Sequence, residues 1–202
     1  MKKLALLLLG LFTGLFLHSA VTVDMVPKTG LAINTEFCEL SLASRIVVVQ
    51  PPWSNSYFSS GIAKLDFERE GKRFVRMIQL NKTAFELLNF SAEVEDGNSV
   101  LIDLSGILVK DVSAIMEFSC LVIPDYVLAN SDFSGVDMEG KPFSGHIDTA
   151  GSGEMPIFGN NFKEMSVNSP IGTYKIEVLE GPGLSMVDRR VNTFMGYACF
   201  WV

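Results

Sequence analysis

Three side chains that together can do hydrolytic chemistry lie within one short segment, Ser144-Gly-His-Ile-Asp148. In a serine hydrolase the imidazole takes the proton of the serine hydroxyl, and a carboxylate holds the imidazole in position. Neighbouring positions in a sequence do not give three side chains that geometry, and the G-x-S-x-G motif of a nucleophile elbow is absent. We therefore interpret His146 and Asp148 as candidate ligand-binding residues of a polar loop, with an exported hydrolase as an alternative.

Side chains that could bind a metal are few. The sequence contains two histidines, and His18 lies in an N-terminal segment that we expect to be removed. A site built from several imidazoles is therefore not expected. Four residues between 130 and 139 carry oxygens of the kind that calcium prefers, but their spacing is not that of an EF-hand. Turn formation explains all four, so we predict no metal and no cofactor.

Residues 50–60 contain aromatic side chains in a segment that reads as a connecting loop, which would ordinarily be polar. Flat rings beside amide and hydroxyl groups suit stacking on a sugar ring or contact with a protein partner. We predict a ligand site here, with the loop 144–154 as the second candidate. The alternative is structural, with the tryptophan closing one end of the fold. The candidate residues are Trp53, Asn55, Tyr57 and Phe58.

The first twenty residues have the pattern of an export signal. Two lysines precede an uncharged apolar run, Leu4 to Leu17, and Ala20 provides the small residue at which a signal peptidase cuts. The run is too short to span a bilayer as a helix, which needs about 20 residues. We predict a signal peptide at 1–20 and an exported chain, periplasmic, cell-surface or extracellular, with no transmembrane segment in residues 21–202. An uncleaved anchor is the alternative.

Charge limits the partners of the exported chain. The whole sequence has a formal net charge of −7, and the predicted signal removes two basic residues and no acidic one. An acidic surface without a Lys/Arg cluster argues against nucleic acid. The leading prediction is a non-enzymatic binding or adhesion module that recognises a carbohydrate or protein partner at the cell surface.

The three cysteines are Cys38, Cys120 and Cys199, and an exported chain meets oxidising conditions. Their wide spacing excludes C-x-x-C motifs. Cys38 and Cys120 each alternate with apolar residues, which indicates buried positions. We predict one disulfide, Cys38–Cys199, that joins the first and last strands, and plain buried thiols are the alternative.

Hydrophobic patterning predicts the fold class. Apolar and polar residues alternate over 100–105 and 174–178, as in half-buried strands. Acid-plus-glycine pairs at 70–71, 96–97 and 139–140 separate apolar runs, as hairpin turns do. We predict that residues 21–202 form a single all-β domain. Its expected architecture is an antiparallel β-sandwich of Greek-key or meander topology, like immunoglobulin or jelly-roll folds, with at most one short helix near 82–90.

Both ends of the expected mature chain read as strands. Val21, Val23 and Met25 alternate with Thr22 and Asp24, and the sequence ends in an apolar strand. This arrangement resembles the chaperone–usher pilins, in which an N-terminal extension completes a neighbour's sheet. The resemblance implies self-assembly by strand exchange through residues 21–27, and a structural subunit of a surface assembly is therefore the first alternative function. The cysteine spacing is wider than in that family.

Overall fold

The structure is a computed structural model that describes residues 3–9, 21–26, 30–49, 51–52, 56–60, 68–71, 73–79, 85–108, 115–151, 157–190 and 199–201. These residues form sixteen strands and one short helix. The elements, in chain order, are β1 (Lys3–Leu9), β2 (Thr22–Val26), β3 (Gly30–Asn34), β4 (Glu39–Val49), β5 (Ser56–Ser60), β6 (Glu68–Glu70), β7 (Arg73–Gln79), β8 (Phe85–Val94), β9 (Ser99–Leu108), β10 (Ile115–Pro124), α1 (Asp125–Leu128), β11 (Ser131–Asp137), β12 (Pro142–Ile147), β13 (Ile157–Ser169), β14 (Gly172–Glu180), β15 (Leu184–Asp188) and β16 (Cys199–Trp201).

The strands pair in antiparallel ladders throughout. Their hydrogen-bonded order is β2-β3-β4-β10-β16-β15-β13-β14-β1-β9-β8-β7-β6, while β11 pairs with β12 and β13, and β5 pairs with β4. Strands β6 to β9 form a meander of successive hairpins. The predicted all-β, sandwich-like fold is confirmed.

Alternation along the strands builds the core, as the sequence predicts. Over residues 100–105 of β9 and 174–179 of β14, every second side chain is buried, and the residues between them are more exposed. Burying one large aliphatic side chain stabilises a fold by about 1.5–3 kcal/mol, so a row of three is a substantial contribution. The two rows are Val100, Ile102 and Leu104 on β9 and Tyr174, Ile176 and Val178 on β14.

The helix lies elsewhere than predicted. Residues 85–90 belong to β8, which pairs with β7 on one side and β9 on the other. Hydrogen bonding to two neighbouring strands stabilises these residues more than a helix would, because an isolated helix of about two turns is only marginally stable in water. The described helix, α1, is a single turn after Pro124, in which Ala129 N donates to Asp125 O at 2.8 Å. No helix in the described segments is long and apolar enough to cross a bilayer.

The predicted Cys38–Cys199 disulfide is absent, and this prediction is wrong for the structure. Cys38 has an unbridged thiol, whose Sγ lies 3.3 Å from Thr35 Oγ1 and 3.6 Å from Tyr174 Oη. Thr35 also binds the Cys38 amide at 3.0 Å, so the turn between β3 and β4 fixes the thiol against β14. Cys199 lies on β16 and pairs with Pro124. The thiol is a buried, hydrogen-bonded part of the core.

The predicted strand at residues 21–25 is present as β2. It pairs with β3 in the same chain, with Thr22 opposite Asn34 and Val26 opposite Gly30. Val21 and Val23 are buried, whereas Met25 is exposed. The described C-terminal residues form β16, between β10 and β15. In this structure β2 and β16 therefore both pair with strands of their own chain.

Candidate functional site

The β11–β12 hairpin positions the histidine. Asp137 Oδ1 accepts hydrogen bonds from Glu139 N at 2.9 Å and Lys141 N at 2.8 Å, which closes the connecting turn. Gly140 completes that turn with φ of 83°, a backbone conformation that glycine adopts without strain. The resulting register places Asp132 opposite His146 and Ser134 opposite Ser144.

Strand β13 extends both rows. Ser134 lies opposite Ser166, and Asp132 lies opposite Asn168. Because directly opposite residues in antiparallel strands share a face, three serines stand in one row across β12, β11 and β13. His146, Asp132 and Asn168 form the neighbouring row. We call this surface of β11, β12 and β13 the polar face.

The other face of the same strands is aromatic. The Phe133 ring packs against Phe143 and Phe158, at centroid distances of 6.4 and 5.5 Å. Glycines leave the space that these rings need: a Cβ added to Gly145 would lie 2.5 Å from Phe133 Cζ. At Gly135 a Cβ would collide with the Glu164 carbonyl oxygen and the Phe143 ring. The aromatic layer thus supports the polar face from beneath.

A groove of about 510 Å³ lies on the polar face. It is lined by Ser134, Gly135, Val136, Pro142, Phe143, Ser144, Glu164 and Ser166. Serine hydroxyls and the Glu164 carboxylate therefore line the groove together with the apolar side chains of Val136 and Pro142, while the Phe143 ring packs against Phe133 on the other face. Such a lining combines hydrogen-bonding groups with an apolar surface, as small-molecule sites usually do.

Charges flank the groove on two sides. Lys175 Nζ lies 3.0 Å from Glu164 Oε2 and 3.3 Å from Glu177 Oε2. The hydrogen bond that Lys175 donates to the Glu164 carboxylate is the main cause of the raised Lys175 pKa. At the other side, His146 Nδ1 lies 2.7 Å from Asp132 Oδ1. Both groups of that pair are well exposed, and pairs of this kind contribute about 0–1 kcal/mol to stability.

Asp148 is not the acid that is hydrogen-bonded to His146. The acid bonded to His146 is Asp132, fourteen residues earlier. The Asp148 carbonyl oxygen instead accepts a hydrogen bond of 2.5 Å from Arg190 Nη1. Within the described residues no hydrogen bond links His146 to a serine hydroxyl, so the segment 144–148 is not assembled as a triad. The described chain also contains no cluster of three His, Cys, Asp or Glu side chains suited to a metal.

The aromatic candidates are only partly described. Trp53 and Asn55 lie outside the described residues. Tyr57 and Phe58 belong to strand β5 rather than to a loop, and Phe58 pairs with Val48 of β4. Among the described strands β5 pairs with β4 and does not pair directly with β11 or β12.

Sequence reasoning missed Ser134, Ser166 and the role of Asp132. A signal for Asp132 was present, because a hairpin centred on the turn at 139–140 places residue 132 opposite residue 146. The position of Ser166 depends on the β11–β13 ladder, which no local pattern reveals. Comparison with protein-family models, with curated proteins and with solved structures finds no match for this chain.

Proposed function

We propose that the protein is an exported, non-enzymatic binding module and that the groove on the polar face binds a carbohydrate. The observation that carries the proposal is the row of three serines, Ser144, Ser134 and Ser166, in one groove beside Glu164. Sugar hydroxyls both donate and accept hydrogen bonds. Serine hydroxyls can do the same, and a carboxylate accepts.

Two further features support this reading. Val136 and Pro142, which lie opposite each other in the row next to Ser134 and Ser144, line the groove and offer an apolar surface to the C–H groups of a sugar ring. The site also stands on three paired strands above a packed aromatic layer, and a rigid support lowers the entropy lost on binding. Export depends on the predicted signal at residues 1–20 and is part of the same proposal.

The test is an oligosaccharide array probed with the purified exported protein, followed by titration calorimetry with the oligosaccharides that bind. The Ser134→Ala/Ser144→Ala variant should lose at least about fivefold in affinity, since each net hydrogen bond contributes about 0.5–1.5 kcal/mol. Thr22→Ala is the matched control, because it removes an exposed hydroxyl on the distant strand β2. Unchanged affinity in the double serine variant, together with loss in Trp53→Ala, would move the site to residues 50–60 and refute the groove.

A further inference from the structure

Part of the predicted signal occupies the middle of the sheet. Strand β1 pairs with β9 along its whole length, with Lys3 opposite Ser105 and Leu9 opposite Ser99. On its other side it pairs with β14. Residues that a signal peptidase would remove thus hold a central position in the strand order. We call the space that β1 fills the slot.

An unfilled slot would be energetically unfavourable for the sheet. Because β9 and β14 each run antiparallel to β1, they are parallel to one another. Neighbouring strands lie about 4.8 Å apart, so closing the slot would move one half of the sheet by that distance. An empty slot would expose backbone groups along two strands and the apolar rows on either side of it.

The signal sequence fits the slot on one face only. Leu4, Leu6 and Leu8 lie opposite Leu104, Ile102 and Val100, which are buried. The positions between them have mostly polar or charged neighbours: Ala5 lies opposite Asp103 and Glu180, and Leu9 opposite Ser99 and Lys175, while Leu7 lies opposite Glu177 on one side and Leu101 on the other. A strand suited to the slot would alternate apolar and polar residues.

We propose that, once residues 1–20 are removed, the slot is filled by residues 21–27 of a second copy of this chain. The proposal depends on the export proposed above, because removal of the signal opens the slot, but it does not depend on the groove. Val21, Val23 and Met25 would take the three inward positions. Thr22 and Asp24 would take the two between them.

The placement of β2 favours this exchange. Among the described strands of its own chain the segment pairs with β3 alone, at the outer end of the strand order, whereas the slot offers ladders on both sides. Val21 N donates to Gly97 O at 2.7 Å, so the segment begins beside the β8–β9 turn, next to the end of the slot at Ser99. Within one chain, the short connection through residues 27–29 keeps β2 next to β3 and away from the slot. In a second copy, β2 is not connected to this chain, so that copy can place its residues 21–27 in the slot.

A buried carboxylate oxygen of Asp103, on β9 beside the slot, also favours the exchange. Its Oδ1 is buried, and no hydrogen bond reaches it from the described residues. Asp103 lies opposite Ala5, which has no side-chain donor. In the proposed frame Thr22 replaces Ala5 and brings a hydroxyl donor to this position. The exchanged strand would thus satisfy a buried polar atom that the signal sequence leaves unpaired.

The experiment compares two forms of the full chain, each isolated without reducing agent. One is the natural exported protein, whose mass shows whether residues 1–20 are present. The other carries Ala20→Lys, which blocks cleavage and keeps the signal attached. Light scattering after gel filtration gives the native mass, and gels run with and without boiling show non-covalent assembly. A synthetic peptide of residues 21–27 is added during renaturation, and the same peptide with Val23→Asp is its control.

We expect the processed chain to form multimers that collapse on boiling, the Ala20→Lys chain to be monomeric, and the natural peptide alone to yield monomers. A monomeric processed chain, or an exported chain that still carries residues 1–20, would overturn the proposal. Multimers of the Ala20→Lys chain would do the same, since the slot is then filled. The mass spectrum tests export separately, and the serine variants test the groove at residues outside the slot.

Discussion

Arg190 and Asp188 form an ion pair that is almost fully removed from solvent, with side-chain exposures of 6% and 1%. Arg190 Nη2 lies 2.8 Å from Asp188 Oδ2, and Nε donates to both carboxylate oxygens at 3.1 Å. Arg190 also holds the Asp148 carbonyl oxygen. The pair therefore fastens the end of β15 to the segment that follows β12, beside the polar face.

Arg190→Ala should lower the free energy of unfolding by about 3–5 kcal/mol, because it leaves the Asp188 carboxylate buried without its cation. Urea unfolding followed by fluorescence measures the change. Lys163→Ala is the control, since it removes a positive charge from an exposed position and should change stability by at most about 0.5 kcal/mol. Equal losses in the two variants would show that the buried pair contributes no more than a surface charge.

Gly135→Ala should destabilise the β11–β12 hairpin by about 1–3 kcal/mol, since the added methyl group meets the Glu164 carbonyl and the Phe143 ring. The same variant should weaken carbohydrate binding, because relieving this collision moves the strand that carries Ser134, next to Gly135, in the groove. Thermal unfolding and calorimetric titration measure the two effects. Ser134→Ala is the matched control for stability, and it should leave the melting temperature nearly unchanged. A Gly135→Ala protein as stable as the wild type would contradict the packing described above.

The turns and the core strands could be predicted from sequence because their signals are local. Gly71, Gly97 and Gly140 all adopt positive φ in hairpin turns, at 67°, 87° and 83°. The alternation over 100–104 and 174–178 corresponds to the buried rows of β9 and β14. In these places the period of the side chains and the conformational freedom of glycine determine the outcome without distant partners.

The predictions that failed all concern residues whose partners are distant in the sequence. Residues 85–90 have local signals for a helix, but ladders with β7 and β9 make them a strand. The Asp132–His146 pair and the serine row depend on the register of three strands. The expected disulfide was inferred from an assumed neighbourhood of first and last strands, whereas Cys38 contacts β14. Register and strand order are set by the whole core, which local patterns do not encode.

Ser99→Ala should raise the pKa of the Asp96 carboxyl toward its ordinary value. Ser99 Oγ donates to Asp96 Oδ1 at 2.6 Å and is the largest cause of the lowered pKa, followed by the Asn98 amide at 3.1 Å. A lowered pKa means that the stabilisation is present above the unfolded value and is lost as pH falls through the folded one. An NMR titration of the Asp96 carboxyl carbon measures the shift, and Thr173→Ala is a control remote from this turn. An unchanged Asp96 titration in Ser99→Ala would show that the serine does not hold the carboxylate.

Stability should fall steeply in alkali. Burial raises the pKa of the Cys120 thiol from 9.0 to about 12. Burial, followed by the hydrogen bond with Cys38, also raises the pKa of Tyr174 above its ordinary value. Both groups stay protonated in the folded chain at a pH where the unfolded chain has lost the proton. By linkage, the stabilisation is complete below the unfolded pKa and is lost as pH rises toward the folded pKa.

Between pH 9 and 12 each such group should lower the free energy of unfolding by up to about 1.4 kcal/mol per pH unit. Urea unfolding at a series of pH values measures this slope for the wild type, Cys120→Ala and Tyr174→Phe. Each variant removes one titrating group, so its slope should be shallower by up to that amount, whatever the substitution does to stability at neutral pH. Val127→Ala is the control, because it perturbs the buried core without removing a proton and should keep the wild-type slope. A Cys120→Ala slope equal to that of the wild type would show that the thiol ionises outside this range or is not protected by burial.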